Sequence, residues 1–157
     1  MPIRTEKKTK PVFEPPLSAW PDAGVYQLWI VVRRSVRICV GALGMVHFAP
    51  GTYVYTGRAS RGLRARVCRH AYGAAKPHWH IDYLLIQRGA AVRKVVLASE
   101  NPADECRVNS RNANGGIAVP HFGASDCRCG CIGHLWRQEP GPTARAKVEK
   151  ALPLPAK

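Results

Sequence analysis

The sequence predicts an α+β domain, a small antiparallel β-sheet flanked by helices. Two observations carry this. Stretches rich in β-branched and aromatic residues recur between Gly and Pro turn signals, at residues 24–32, 52–57 and 92–98. Residues 62–72 instead place Leu63, Val67 and Ala71 at helical spacing.

Taken in order, residues 24–32 read as the first strand. Residues 36–43 alternate Val36, Ile38 and Val40 with Arg37, Cys39 and Gly41, and Gly44 turns the chain into 45–48. Residues 33–50 are therefore an expected hairpin. Ala49-Pro50-Gly51 forms a second turn. The strand 52–57 sets Tyr53 and Tyr55 on one face and Val54 on the other, because strand side chains alternate. Together these strands predict an antiparallel meander. The helix 62–72 carries Arg64, Arg66 and Arg69 on its remaining surface. A short helix is expected at 81–87 and a strand at 92–98. Asn101 then offers an N-cap, with Pro102 at the first helical position, for a helix through about residue 109. Gly115-Gly116 closes it, and 122–137 reads as loop.

The chain has 157 residues, with 24 Lys and Arg against 10 Asp and Glu, a formal net charge of +14. One folded unit, residues 18–138, suits that length. Residues 1–17 form an expected basic, Pro- and Lys-rich flexible tail, and residues 139–157 a second one rich in Pro, Lys and Ala. The apolar runs 28–32 and 95–98 fall far short of the roughly 20 residues that span a bilayer. No apolar leader stands at the N-terminus, so a cytoplasmic, reducing setting is expected, with the six cysteines as thiols or metal ligands. The charge is uneven. Residues 17–98 carry twelve Lys or Arg against Asp22 and Asp82, whereas 99–138 are neutral. Such a basic segment points to a phosphate-bearing partner, DNA or RNA.

Gly24-Val25-Tyr26 on the first strand and Tyr55-Thr56-Gly57 on a later one resemble the paired tripeptides that name the GIY-YIG nuclease superfamily. Each departs at its middle position only. Arg66 follows nine residues after Gly57 on a basic helix, then His70, then a strand and a helix bearing Glu105. This order is similar to the family's catalytic module. His78-Trp79-His80-Ile81-Asp82-Tyr83-Leu84-Leu85, and Phe122-Gly123-Ala124-Ser125-Asp126-Cys127-Arg128-Cys129 before His134-Leu135, look like a branch of small GIY-YIG-like proteins found alone or joined to DNA-repair enzymes. The separation of Tyr26 from Tyr55 is longer than is common in the superfamily, the hairpin accounting for the excess.

The resemblance implies a metal-dependent endonuclease acting on DNA, on branched or damaged structures in repair. Glu105 would hold a divalent cation, Mg²⁺ or Mn²⁺. Tyr26 would activate water, Arg66 would bind the scissile phosphate, and Tyr55 and His70 would complete the site. Arg58, Arg61, Arg64, Arg69 and Lys76 are the expected nucleic-acid contacts. A nearby Arg66 and a cation would favour the Tyr26 phenolate, whose ordinary pKa is about 10. The alternatives are a nucleic-acid-binding module without cleavage and a zinc-stabilised interaction domain. Cys127, Cys129, Cys131 and His134 lie within eight residues and offer the soft donors Zn²⁺ prefers. The rival reading places Asp126, Cys127 and His134 in a polar pocket near the active site, and a thiol nucleophile, Cys127 activated by His134, lacks a Gly-rich oxyanion turn. His78, His80 and Asp82 are a further ligand source. Cys39, Cys68 and Cys106 read as buried and inert.

Overall fold

The computed structural model describes residues 8–73 and 76–139. Eight strands and three α-helices follow the chain: β1 (Val12–Glu14), β2 (Gly24–Val32), β3 (Val36–Cys39), β4 (Met45–Phe48), β5 (Gly51–Ala59), α1 (Leu63–Tyr72), α2 (His80–Leu85), β6 (Ala90–Ser99), α3 (Glu105–Ser110), β7 (Gly116–Ala118) and β8 (Leu135–Gln138). Six strands form one mixed sheet in the order β1-β6-β2-β5-β8-β7, and β3 pairs with β4 in a separate two-stranded sheet. The α+β class holds.

The central strand is β2, which pairs antiparallel with both β5 and β6. Its alternate residues Tyr26, Leu28, Ile30 and Val32 belong to the main core with Tyr53 and Tyr55 of β5, Leu63 and Val67 of α1, and Ile81 and Leu84 of α2. Val54 faces the other way with its cross-strand partner Trp136, whose indole N–H donates to Asn109 Oδ1 of α3 at 3.2 Å. The sheet is thus covered on one face by α1 and α2 and on the other by α3.

Four sequence expectations differ. The strands do not run as one meander. β2 pairs directly with β5, Val32 opposite Gly51, and the intervening hairpin stands aside. The sheet is not wholly antiparallel either, because β1 lies parallel to β6. Its residues fall inside the span assigned to a flexible N-terminal tail. Residues 8–17 of that span are tied down by Lys8 Nζ, which donates to the carbonyls of Leu85 and Gln87, and by Trp20, buried with its indole N–H on Pro15 O, while residues 1–7 lie outside the described residues. Finally, β8 lies in what reads as loop, its Leu135 and Trp136 buried against β5. The expected C-terminal tail lies, beyond residue 139, outside the described residues.

The helix starts follow local chemistry. At α1 the free amides of Gly62 and Leu63 donate to Asp22 Oδ1 and O, both at 3.0 Å. At α2 the Asp82 carboxylate reaches back to the amides of His78 (2.8 Å) and Trp79 (3.0 Å). Before α3, Asn101 Oδ1 accepts from Ala103 N, and Pro102 opens a 3₁₀ turn. The expected cap is present there. Among the described residues no helix is long and apolar enough to cross a membrane.

Candidate active site

β8 pairs with β5 only along Tyr53–Tyr55, and Thr56 N makes the last bond, to His134 O. Beyond that point the β5 edge is open, and side chains from both faces of the sheet meet around it. A cavity of about 500 Å³ lies there, lined by Tyr26, Tyr55, Gly57, Arg58, Arg61 and Arg66, by His78, Trp79 and His80, and by Glu105, Gly123 and Asp126. Tyr26, Tyr55, Arg66 and Glu105 therefore converge on one concave surface, with three arginines in its wall.

Tyr26 lies across Gly57, its cross-strand partner. A Cβ at position 57 would stand 2.5 Å from the Tyr26 hydroxyl oxygen and 2.6 Å from its ring. Glycine is required there by space. Gly57→Ala is expected to push the Tyr26 ring out of place and to cost about 1–3 kcal/mol, as overpacking does, read as a lower chemical-denaturation midpoint with an unchanged slope. Gly123 is required twice over. Its φ is +69°, and a Cβ would meet Tyr55 at 2.9 Å.

The Tyr26 hydroxyl lies 2.9 Å from His70 Nε2. On the far side of the ring, Nδ1 faces Asp82 Oδ1 at 3.7 Å, and all three residues are buried. Burial raises the Tyr26 pKa well above its ordinary value, and the positive charge of Arg66 only partly offsets this. Arg66 by itself therefore does not favour a phenolate, because desolvation of the enclosed ring outweighs one neighbouring guanidinium. Burial likewise lowers the His70 pKa, though Asp82 opposes it, so the imidazole is neutral. Asp82 stays ionised. Burial works against it, but the facing His70 ring and hydrogen bonds from the amides of Trp79 and His78 and from Arg69 hold it far below the usual carboxylate range. A proton on Nδ1 toward that carboxylate leaves Nε2 as acceptor for the Tyr26 hydroxyl. Tyr55, packed edge-on against His70, is also raised by burial.

Arg66 is held at the cavity wall by stacking over Trp79, 4.8 Å from the ring centroid, and by a hydrogen bond to Arg58 O. Arg58 Nε lies 3.3 Å from Glu105 Oε2, and Glu105 Oε1 lies 3.4 Å from His134 Nδ1. Of the expected nucleic-acid contacts, Arg58 and Arg61 line the cavity. Arg64 and Lys76 are exposed but outside its wall. Arg69 is not a free phosphate ligand. It is committed to Asp82 Oδ2 at 3.1 Å, to Lys76 O at 2.9 Å and to the Trp79 ring.

The cysteine expectations need three corrections, the first being that Cys39, Cys68 and Cys106 are not buried, Cys39 standing exposed on β3 and the other two half-buried. Donor atoms of Cys106, Cys127, Cys131 and His134 all lie within 4.8 Å of one another. Cys129 is exposed and stands outside this group, whereas Cys106, read as inert, belongs to it because α3 carries it onto the 119–134 loop. The other suggested ligands lie elsewhere. His80 Nδ1 accepts from Gly123 N at 2.9 Å, the His78 ring packs on Trp79, and Asp82 serves His70. Burial works against charge on His134, but Glu105 and Cys127 lift its pKa to about 10; Cys127, opposed by burial, falls to about 6 through the amides of 131 and 129 and His134. Sequence reasoning missed the tie from His70 to Asp82, Trp79 as the platform for two arginines, and Cys106. No local periodicity marks them.

No curated protein and no solved structure matches the chain. The model of a family described as a domain of unknown function, DUF123, matches residues 25–154, a span that takes in every cavity residue named above and most of the sequence. The chain belongs to the DUF123 family.

Proposed function

We propose that the protein is a metal-dependent endonuclease of the GIY-YIG kind, hydrolysing phosphodiester bonds in DNA. The observation that carries this reading is the convergence of Tyr26, Tyr55, Arg66 and Glu105 on one cavity walled by Arg58 and Arg61. The guanidinium groups bind the phosphate and take up charge developing on its oxygens. The attacking water gives its proton to the Tyr26 oxygen as that hydroxyl passes its own to His70 Nε2, and Asp82 stabilises the imidazolium formed. This relay suits a buried tyrosine, which avoids standing as a phenolate. Glu105 and Asp126 give the cavity the hard oxygen donors that Mg²⁺ or Mn²⁺ prefers, so the residues present fit such an ion. Bound there, it supplies a Lewis acid beside the phosphate.

A second reading, a nucleic-acid-binding module without cleavage, is favoured by one observation. Arg58 and His134 already compensate the Glu105 charge. Incubation with duplex, nicked, flapped and branched DNAs, with Mg²⁺ or Mn²⁺, separates the two. Cleavage is expected, and Glu105→Gln is expected to lower it about 10²-fold, as loss of one preorganised charge does. Binding that weakens steeply with salt, without cleavage of any of these DNAs, would overturn the nuclease reading in favour of the second.

A further inference from the structure

We propose that Cys106, Cys127, Cys131 and His134 bind one Zn²⁺ through three sulfurs and His134 Nε2, and that this ion fixes Glu105 at the cavity wall. The first half stands on the cluster alone. The second rests on the functional reading of the cavity.

The donor geometry fits one tetrahedral ion. A Zn–S bond of about 2.3 Å places two ligand sulfurs about 3.8 Å apart. Cys106 Sγ and Cys127 Sγ are 3.6 Å apart, much farther than the S–S bond of a disulfide. Cys131 and His134 contribute donors within 4.8 Å of both. His134 adds an independent sign. It is 1% exposed, its Nδ1 faces Thr56 O at 3.3 Å and Glu105 Oε1 at 3.4 Å, and its Nε2 is buried with no hydrogen-bond partner. An orphaned ring nitrogen of this kind is costly unless something ligates it. A bound Zn²⁺ displaces the Nε2 proton and takes that lone pair, while Nδ1 keeps its proton toward the carboxylate, which orients the ring from behind, a common arrangement around zinc-bound histidine.

The site also answers a folding need. The ligands come from α3, from the irregular segment between β7 and β8, and from the residue preceding β8. That segment has little regular structure to hold it. One ion joins it to α3, and Glu105 is doubly tied, as the neighbour of Cys106 and as the partner of His134.

The test uses the full chain, purified under reducing conditions with Zn²⁺ supplied. Elemental analysis after dialysis is expected to find one zinc per chain, lost in Cys131→Ser and kept in Cys129→Ser. Should Cys131→Ser fail to fold, Co²⁺ exchanged into the native chain is expected to give the thiolate charge-transfer and tetrahedral ligand-field bands of a sulfur-rich site. Absence of zinc, absence of those bands, or a Cys106–Cys127 disulfide in the purified chain would each overturn the proposal. For the tie to Glu105, competition with a chelator is expected to show about 10-fold weaker zinc binding in Glu105→Ala, the effect typical of an outer partner. Unchanged affinity would sink that half. None of these measurements uses DNA, so they stand or fall apart from the nuclease reading.

Discussion

Arg66→Ala is expected to reduce cleavage by about 10³-fold, the upper range for removing one preorganised donor from a developing oxyanion. The guanidinium stacks on Trp79 and bonds to Arg58 O, so its orientation is set before any phosphate arrives. On the proposed nuclease reading, that restraint would convert a surface charge into transition-state stabilisation. Arg66→Lys should recover little, because a lysine ammonium has no planar fork to stack or to grip two oxygens. Steady-state kinetics on the cleaved DNA should show the loss mainly in kcat. A loss confined to KM would mean that Arg66 only binds substrate. Arg66 is partly exposed on α1, so the melting temperature should scarcely move.

Asp82→Ala is expected to destabilise the fold by about 3 kcal/mol, because it strips a buried acceptor from the two amides that open α2, from Arg69 and from His70. For a chain of this size that is a fall of roughly 6–12 °C in melting temperature. The pH dependence has a definite sign. Asp82 has a folded pKa depressed below its unfolded value, so its contribution is present above about pH 4 and disappears as pH falls toward the folded value. His70 also has a depressed folded pKa, so the unfolded chain binds the extra proton first. Stability therefore drops as pH falls below about 6.5. The gap between native chain and variant should be at full size above about pH 4 and narrow as pH falls further toward the folded value of Asp82. A gap that stays constant down to pH 3 would show that the Asp82 charge plays no part. Asp82→Asn, which keeps the shape and one acceptor, should lose less stability.

Much of the architecture was legible because it is local. The β-branched and aromatic run of 24–32, alternation in 52–57, helical spacing of Leu63 and Val67, and the Asn101-Pro102 start each encode a backbone conformation within a few residues. The insert 33–50 announces its own turns. The tripeptides at Tyr26 and Tyr55, with Arg66 and Glu105, were visible as residues in order, and the sheet register then sets Tyr26 over Gly57. β1 escaped notice because three residues beside prolines carry no period, and β8 because its partner is the distant β5.

By itself the sequence determined the α+β class, the hairpin insert, the basic helix and the supply of soft donors near the C-terminal end of the fold. Only the tertiary structure decided which groups face one another: His70 with Tyr26, 44 positions away; Arg69 with Asp82 in place of a phosphate; Cys106 in place of Cys129. The reason is that periodicity records how far each side chain is buried, whereas the partner a buried polar group finds depends on how sheet and helices pack. That packing also raises the Tyr26 pKa, a property of the enclosed site that no tyrosine carries in its own neighbourhood of the chain.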